Sequence, residues 1–195
     1  MVWVAEVHRD KSMPLDQVHV ALYSYFPQVA PGDPRPYVWR LLDENTILVG
    51  SRLRPTANTA REVVARRGMT YDFRATIKRA RNVRGTYTRP DGTRRNRTPR
   101  AVEMKDHDEI KRWATQFAEK RGGDIRYIRV ENMCLYRPKH GVALPICTLV
   151  GKVFVRDPDA FDQFLASGGP GTGKAYGLGM WYLPEIMGEV HRAAA

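Results

Sequence analysis

Alternating apolar and polar positions at the start of the chain predict a β-strand over Val2–Val7, a stretch rich in β-branched residues. In the next segment, apolar positions 15, 18, 22 and 26 recur at helical spacing and predict a helix over Leu15–Phe26 that ends at Pro27. Two further apolar runs, Tyr37–Leu42 and Thr46–Ser51, flank an Asp-Glu-Asn turn and predict a hairpin. The order up to this point is β-α-β-β.

A second helix and another strand are predicted next. Asn58–Arg67 fits a helix with Asn58 or Thr59 as its N-cap and Gly68 at its end, and Met69–Lys78 fits a strand. The order β-α-β-β-α-β is that of the ferredoxin-like fold, an antiparallel sheet with helices on one face. We therefore expect a first domain over residues 1–80.

The second half predicts a similar set of elements after an arginine-rich segment. In order, these elements are an arginine-rich hairpin over 81–100 with a turn at Arg89–Gly92, a helix from His107 to about Arg121, strands over Ile125–Tyr136 and Val142–Val155, a short helix from the cap Asp157 to about Ser167, and a last strand over Gly179–Leu183. The predicted fold class is α+β: two tandem ferredoxin-like domains, residues 1–80 and 101–195, joined by a hairpin or linker over 81–100.

Positive charge is concentrated in one part of the chain. The net charge is +11, and the stretch from Arg74 to Arg100 holds ten basic residues and one acid, Asp91. A basic stretch can be only a solvated surface, but this concentration, with Tyr87 inside it, favours a polyanionic partner, above all a nucleic acid. The candidate contacts to RNA here are Arg74, Lys78, Arg79, Arg81, Arg84, Arg94, Arg95 and Arg97.

The composition argues against several other classes of protein. No apolar run approaches the roughly 20 residues that a membrane-spanning helix needs, and the first ten residues contain acids and bases where a secretory signal would be apolar. Cys134 and Cys147 form no Cys-x-x-Cys pair, and the five histidines lack metal-ligand spacing. We expect a cytoplasmic protein with no membrane association, no metal and no cofactor.

A glycine-rich stretch, GGPGTGKAYGLGMW, begins at Gly168 and resembles at first the phosphate-binding loop of an ATPase. The spacing Gly-x-x-x-x-Gly-Lys is present up to Lys174, but Ala175 stands where that loop needs Ser or Thr. A predicted helix precedes the stretch instead of following it, and too few residues remain to build a nucleotide-binding sheet. The sequence therefore argues against a nucleotide cofactor.

In a second frame the same stretch reads Gly169-x-Gly171-x-x-Lys174-x-x-Gly177-x-Gly179, a pattern that lets backbone approach a bulky partner and offers amide groups to anions. This pattern resembles the C-terminal loop of the CRISPR-associated endoribonucleases of the RAMP superfamily. Five other stretches are similar to the type I-E CasE subfamily of the Cascade complex: Val18–Pro27 (VHVALYSYFP), Tyr37–Arg40, Leu48–Ser51, Arg74–Lys78 and Gly151–Asp157 (GKVFVRD). The resemblance covers nearly the whole chain in the order of the family.

The resemblance implies a fold, an activity and partners. Members have two tandem ferredoxin-like domains and cut CRISPR repeat RNA at the base of a hairpin without metal. A ribose 2′-hydroxyl attacks the phosphate and leaves a 2′,3′-cyclic phosphate and a 5′-hydroxyl. The implied partners are the repeat hairpin, in precursor and mature CRISPR RNA (crRNA), and other Cascade subunits.

The resemblance also implies site residues. His19 matches the catalytic histidine of the family, and imidazole can serve as acid or base near neutral pH. Lys174 matches the lysine of the loop and would neutralise a phosphate at or near the cut. Gly169 and Gly171 match glycines that let RNA approach. These four residues are predicted to meet at the RNA.

At one position the chain departs from the family. Type I-E relatives often have a tyrosine three residues before the histidine, where this chain has Asp16. On a helix, Asp16 and Tyr23 lie on the His19 side, so Asp16 would orient the imidazole and raise its pKa, or serve only as a helix cap. Tyr23 and Tyr25 are the two candidates for the missing hydroxyl.

Three functions are compatible with these observations. The preferred one is a metal-independent endoribonuclease that processes precursor crRNA and retains its product in a Cascade-type complex. The second is a non-catalytic RNA-binding RAMP subunit in which Asp16 marks a decayed site. The third is a general RNA-binding protein that uses the arginine-rich segment alone.

Overall fold

The structure, a computed structural model, describes residues 1–30, 33–83, 86–96, 100–138, 143–168 and 174–188. The strands are β1 (Val2–His8), β2 (Tyr37–Leu41), β3 (Thr46–Ser51), β4 (Arg61–Val63), β5 (Thr70–Lys78), β6 (Ala80–Val83), β7 (Thr86–Thr88), β8 (Arg94–Asn96), β9 (Arg100–Glu103), β10 (Gly123–Tyr136), β11 (Leu144–Val155) and β12 (Trp181–Tyr182). The helices are α1 (Leu15–Ala21), α2 (His107–Glu119), α3 (Pro158–Ser167) and α4 (Pro184–Met187), with 3-10 turns at Leu22–Tyr25 and Lys174–Tyr176.

The first sheet has the strand order β2-β3-β1-β4 and is antiparallel throughout. Alternation along β2 sends neighbouring residues to opposite faces. Trp39 packs with α1 residues such as Val18, whereas Val38 packs in the main core with residues of α3 such as Phe164. Both faces of this sheet are therefore covered.

The second sheet has the order β10-β11-β5-β12, with antiparallel pairing between neighbouring strands. Its buried face carries alternate residues of β5, namely Phe73, Ala75 and Ile77, against α2 and α3. With β5 as its first strand, this unit runs β-α-β-β-α-β, and the arginine-rich hairpin is inserted between β5 and α2. The structure thus confirms the prediction of two tandem ferredoxin-like units.

One element of the first unit differs from its prediction. The helix predicted over 58–67 is wrong, because residues 61–63 of this stretch form β4 and pair with β1. Thr59, a predicted helix cap, instead accepts a hydrogen bond from the Glu6 amide at 3.1 Å and donates one to the Glu6 carbonyl at 2.5 Å. Pairing with β1 at the edge of the first sheet thus overrides the local helix signals of this stretch.

The strand predicted over Met69–Lys78 is present as β5, but its expected place in the first sheet is wrong. It pairs with β11 over Thr70–Lys78 and with β12 at Ala75 and Arg74. The first sheet is already complete at Val63, because β4 fills its last position. The other strands and helices predicted from the sequence are present, with small shifts of their ends.

Candidate active site and nucleic-acid interface

His19 lies in the last turn of α1 and is half-buried. The hydroxyl of Tyr37, on β2, donates a hydrogen bond to the His19 backbone carbonyl. The Tyr37 ring stacks on Phe26 with 5.1 Å between centroids, and burial raises the pKa of its phenol, so the hydroxyl remains protonated as a donor. This contact holds the end of α1 that carries His19 against the first sheet.

The 3-10 turn Lys174–Tyr176 packs against α1. The structure therefore brings Lys174 next to the helix that carries His19, although 155 positions separate the two residues in the sequence. The Lys174 ammonium donates a hydrogen bond to the Ser167 carbonyl at 2.5 Å. Its pKa is lowered, first by burial and then by the charges of Arg35 and Arg121.

Arg35 belongs to the same corner of the molecule, although the sequence did not single it out. Its guanidinium carbon lies 5.8 Å from the centroid of the Tyr37 ring. After burial, which is the larger cause for both groups, the charge of Arg35 opposes the rise of the Tyr37 pKa and adds to the lowering of the Lys174 pKa. Its buried Nε has no hydrogen-bond partner among the described residues. The turn of Lys174 thus packs against the helix of His19, and Tyr37 contacts both the His19 carbonyl and Arg35.

The other two candidate catalytic residues flank His19 along the chain. Asp16 lies in the first turn of α1. Tyr23 lies beyond the α-helical part, in the turn Leu22–Tyr25, and its half-buried ring packs edge-on against Tyr37 with 5.4 Å between centroids. Tyr23 therefore contacts the residue that holds His19 in place.

The glycines Gly169 and Gly171 lie outside the described residues, as do Arg84 and Arg97. Gly177 is described, and its φ of +73° is a value that residues with a side chain rarely adopt. A Cβ atom at this position would lie 2.9 Å from Cζ3 of Trp39. Gly177 therefore allows the chain after the turn to pass directly over the Trp39 ring.

The arginine-rich segment forms the predicted hairpin. At its base β6 pairs with β9, and at its tip β7 pairs with β8, where Arg94 and Arg95 lie. The tip is a turn in which the Arg89 amide donates to the Thr93 carbonyl at 2.9 Å and Gly92 has a φ of +80°. A chain segment rich in arginine thus leaves the second sheet as a two-stranded arm.

Arg79 corrects one prediction of an RNA contact. The residue is only 8% exposed and forms an ion pair with Glu103 at 2.5 Å. It also donates a hydrogen bond to the Met104 carbonyl at 3.1 Å. Because Glu103 ends β9 and Arg79 directly precedes β6, this side chain fastens the base of the arm and has a structural role.

Three further basic candidates are accessible. Arg81 is exposed and pairs with Glu109 of α2 at 3.0 Å. Arg74 is exposed and Lys78 half-buried, both on the face of β5 opposite the buried residues. Arg74 and Lys78 therefore place positive charge on the outer face of the second sheet.

No group of three or more His, Cys, Asp and Glu side chains able to hold a metal ion occurs among the residues that the structure describes. In the same ranges, no helix has the length and apolar character required to cross a bilayer.

Comparison with protein-family models identifies the class of protein that this architecture represents. The model described as "CRISPR associated protein" matches residues 4–184. This match covers most of the chain, and the chain belongs to this family. Comparison with curated protein sequences gave no match.

Solved structures agree on the particular fold. Thermus thermophilus Cse3, bound to an RNA representing a pre-cleavage complex, is 18% identical, with a TM-score of 0.70 over 93% of this chain and 98% of that one. Cas6e from Escherichia coli K-12 is 16% identical, with a TM-score of 0.65 over the same shares, 93% and 98%. A chain of a CRISPR RNA-guided surveillance complex, pre-nicking, is 15% identical, with a TM-score of 0.57 over 93% and 98%. The resemblance that the sequence motifs indicated is confirmed in family and in fold.

Proposed function

We propose that this protein is a metal-independent endoribonuclease that binds and cleaves CRISPR repeat hairpins in precursor crRNA. The observation that carries the proposal is the packing of the Lys174 turn against the helix of His19, which brings the element with the loop cation next to the element with the imidazole. Membership of the CRISPR-associated family supports the biological role. The fold shared with RNA-bound Cse3 supports the choice of substrate.

The chemistry follows from the side chains present. The ribose 2′-hydroxyl next to the cut attacks the phosphorus, the bond to the 5′-oxygen breaks, and the products are a 2′,3′-cyclic phosphate and a 5′-hydroxyl. Such a reaction needs a base that takes the proton of the 2′-hydroxyl, an acid that gives one to the leaving 5′-oxygen, and a cation near the phosphorane. The imidazole of His19 serves as the proton-transfer group. The half-buried position of Lys174 strengthens its attraction to a phosphate.

The contact of Lys174 with Ser167 is compatible with this role. An ammonium group has three donors, and the Ser167 carbonyl takes one of them. The remaining two are directed by this contact and can bind oxygens of the scissile phosphate. Arg35 adds a second cation beside the same helix, and its buried Nε gains a partner when a phosphate binds. Asp16 and Tyr23 remain the candidates for orienting the imidazole and for supplying a hydroxyl.

The RNA stem is proposed to lie along the arm and the outer face of the second sheet. The contacts assigned there are Arg74, Lys78, Arg81, Arg94 and Arg95, together with Arg84 and Arg97 of the same segment and Gly169, Gly171 and Lys174 of the loop. The major groove of an A-form stem is deep and lined by phosphates, so charge and shape dominate its recognition. We expect the affinity to fall steeply as the salt concentration rises.

The protein is further proposed to retain its mature crRNA and to join other Cascade subunits in the cytoplasm. The support is the likeness to a chain of a CRISPR RNA-guided surveillance complex. Retention is consistent with a phosphate-binding arm that the cut at the hairpin base leaves in contact with the stem.

The test uses a repeat hairpin taken from an array beside the gene. With EDTA present, the wild-type protein should cut it once at the hairpin base and leave a cyclic phosphate. His19→Ala should abolish cutting and keep tight binding, whereas His8→Ala, at the exposed end of β1, should cut as the wild type does. Cutting that requires magnesium would contradict the mechanism. Tight binding without any cutting by the wild type would favour the non-catalytic subunit.

A further inference from the structure

A cavity of about 190 Å³ lies between the two sheets, beside α1. Its walls include Trp39 and Arg40 of β2, Thr76 of β5, Tyr136 of β10 and Tyr176 of the 3-10 turn. The rings of Tyr136 and Tyr176 touch edge to face, with 5.9 Å between centroids. The cavity therefore combines three aromatic side chains with a cation and a hydroxyl group. No step of the cleavage mechanism above uses it.

The cavity adjoins the candidate active site. Leu15 of α1 also lines it, and His19 follows Leu15 by four residues on the same face of the helix. On the opposite wall, Tyr176 belongs to the turn that begins with Lys174. A ligand in the cavity would thus lie within about one helical turn of the proton-transfer group and of the loop lysine.

Two polar groups of the wall indicate what the ligand offers. Trp39 is 1% exposed, and its indole N–H has no hydrogen-bond partner in the part of the chain that the structure describes. Gly177 packs over Cζ3, Cε3 and Cη2 of the ring, the edge away from the nitrogen, and so holds the indole in this position. A buried donor of this kind is unfavourable until an acceptor reaches it.

Arg40 is the second group. Its guanidinium lies 4.8 Å from the centroid of the Tyr182 ring and donates to the Arg74 carbonyl at 3.2 Å. Its pKa is lowered by burial and then by the charge of Arg74, and no ion pair with a described carboxylate compensates its charge. A cation that is held by aromatic stacking and lacks a counter-ion is suited to an incoming anionic group.

We propose that this cavity binds one unpaired nucleotide of the RNA, with its base against Tyr136 and Tyr176 and its phosphate facing Arg40. The inference rests on the proposed function and deepens it, because it adds a base-binding subsite next to the cut. Proteins recognise single-stranded bases by stacking them on aromatic side chains and by hydrogen bonds to their edges. The described wall offers both, with the Trp39 N–H and the Thr76 hydroxyl as edge partners.

The experiment uses a repeat hairpin with its single-stranded flanks, made non-cleavable by a deoxyribose at the nucleotide whose 2′-hydroxyl attacks. Each nucleotide from the hairpin base outwards is replaced in turn by an abasic one, and the Kd is measured. For the wild type, one position should weaken binding about tenfold, the order expected for one stacked base. That position should adjoin the cut.

Variants of the wall identify the cavity as the cause. Tyr136→Ala should bind the intact RNA about tenfold more weakly and show no additional weakening at the sensitive abasic position. Tyr127→Ala is the matched control, because Tyr127 lies on the same strand, is 54% exposed and is remote from the cavity wall. Tyr176→Ala, from the opposite wall, should reproduce the result and replaces Tyr136→Ala if that variant does not fold.

The possible results separate the two proposals. If the wild type does not bind or cut the hairpin, the proposed function fails. If it binds and cuts the hairpin but no abasic position matters, only the subsite is overturned. The subsite is also overturned if Tyr136→Ala and Tyr176→Ala keep the abasic sensitivity of the wild type, since the base would then bind elsewhere.

Discussion

Gly177→Ala tests whether the glycine turn is fixed against the first sheet, as the candidate site requires. The residue has a φ of +73°, and its added Cβ would lie 2.9 Å from Cζ3 and 3.0 Å from Cε3 of Trp39. Trp39 is almost fully buried, so its ring cannot move away without displacing the core around α1. Alanine therefore meets two separate difficulties, one in its backbone and one in its side chain.

The two contributions can be separated with Gly68→Ala. Gly68 has a φ of +80°, but nothing lies within 4 Å of an added Cβ. A left-handed backbone costs a residue with a side chain about 1–2 kcal/mol, and overpacking a core costs about 1–3 kcal/mol more. We expect Gly68→Ala to lower the free energy of unfolding by about 1–2 kcal/mol and Gly177→Ala by about 2–5 kcal/mol.

Urea unfolding followed by circular dichroism measures both values, with an unchanged m value as the sign that two-state behaviour is kept. Under conditions in which both variants remain folded, Gly177→Ala should also cut the hairpin more slowly, because the displaced turn carries Lys174 away from α1. Gly68→Ala should cut at the wild-type rate. Equal decreases of stability in the two variants would refute the reasoning, since they would mean that the turn is not pressed against Trp39.

Three further predictions follow from the described side chains. Arg79→Met should lower the free energy of unfolding by about 2–3 kcal/mol, because it removes charged hydrogen bonds at the base of the arm. The control Arg81→Met removes an exposed ion pair and should lower it by less than about 1 kcal/mol. Urea titrations measure both values. Replacing Arg94 and Arg95 by Gln should reduce the slope of log Kd against log salt by roughly 0.7–0.9 for each phosphate that the arm no longer neutralises, and an unchanged slope would exclude the arm from the interface. Burial raises the pKa of Cys147 to about 11 from an ordinary 9.0, so its neutral thiol stabilises the fold below pH 9. About 3 kcal/mol of that stability should disappear as the pH rises through 11, and Cys147→Ala should not show this decrease when unfolding is measured across this range.

Local signals in the sequence account for the elements that were predicted correctly. Asp157 accepts hydrogen bonds from the amides of Asp159 and Ala160, as an N-cap before Pro158 should. In the arm, Asp91 accepts from the Thr93 amide at 2.9 Å and sets the predicted turn. Both contacts join residues two or three positions apart, so the sequence alone contains the information.

The two wrong predictions, the helix over 58–67 and the sheet to which β5 belongs, both depend on strands that are distant in the sequence. The stretch 58–67 has a helix cap and a terminating glycine, but residues 61–63 pair instead with β1 at the start of the chain, a partner that the local signals do not contain. Likewise, the pattern of β5 predicts a strand without specifying its sheet. Alternation identifies a buried face, but it does not identify the neighbouring strand.

The residues of the candidate site also divide into those that local sequence signals predict and those that depend on distant partners. His19 and Lys174 were predicted because they belong to motifs with recognisable chemistry. Tyr37, Trp39 and Arg35 were not, since the first two have the spacing of ordinary core residues in a strand and the third is one arginine among 24. Arg35-Pro36 directly before a buried strand is the one local signal that places a cation at the edge of the first sheet.

Two glycines of the C-terminal stretch, Gly168 and Gly177, pack against an edge strand of the first sheet. That strand is β2, one of the two edge strands, and its neighbouring residues Val38 and Trp39 face opposite sides. At the end of α3, a Cβ on Gly168 would lie 2.4 Å from Cγ1 of Val38, whereas one on Gly177 would strike the ring of Trp39. The described chain thus leaves one face of the sheet at Gly168 and resumes on the other at Lys174, in close contact with β2 on both sides. Only this change of face places Lys174 with α1 and His19, because α3 itself packs on the opposite side of the same sheet. Gly168 and Gly177 are therefore needed where the chain touches the strand on either face.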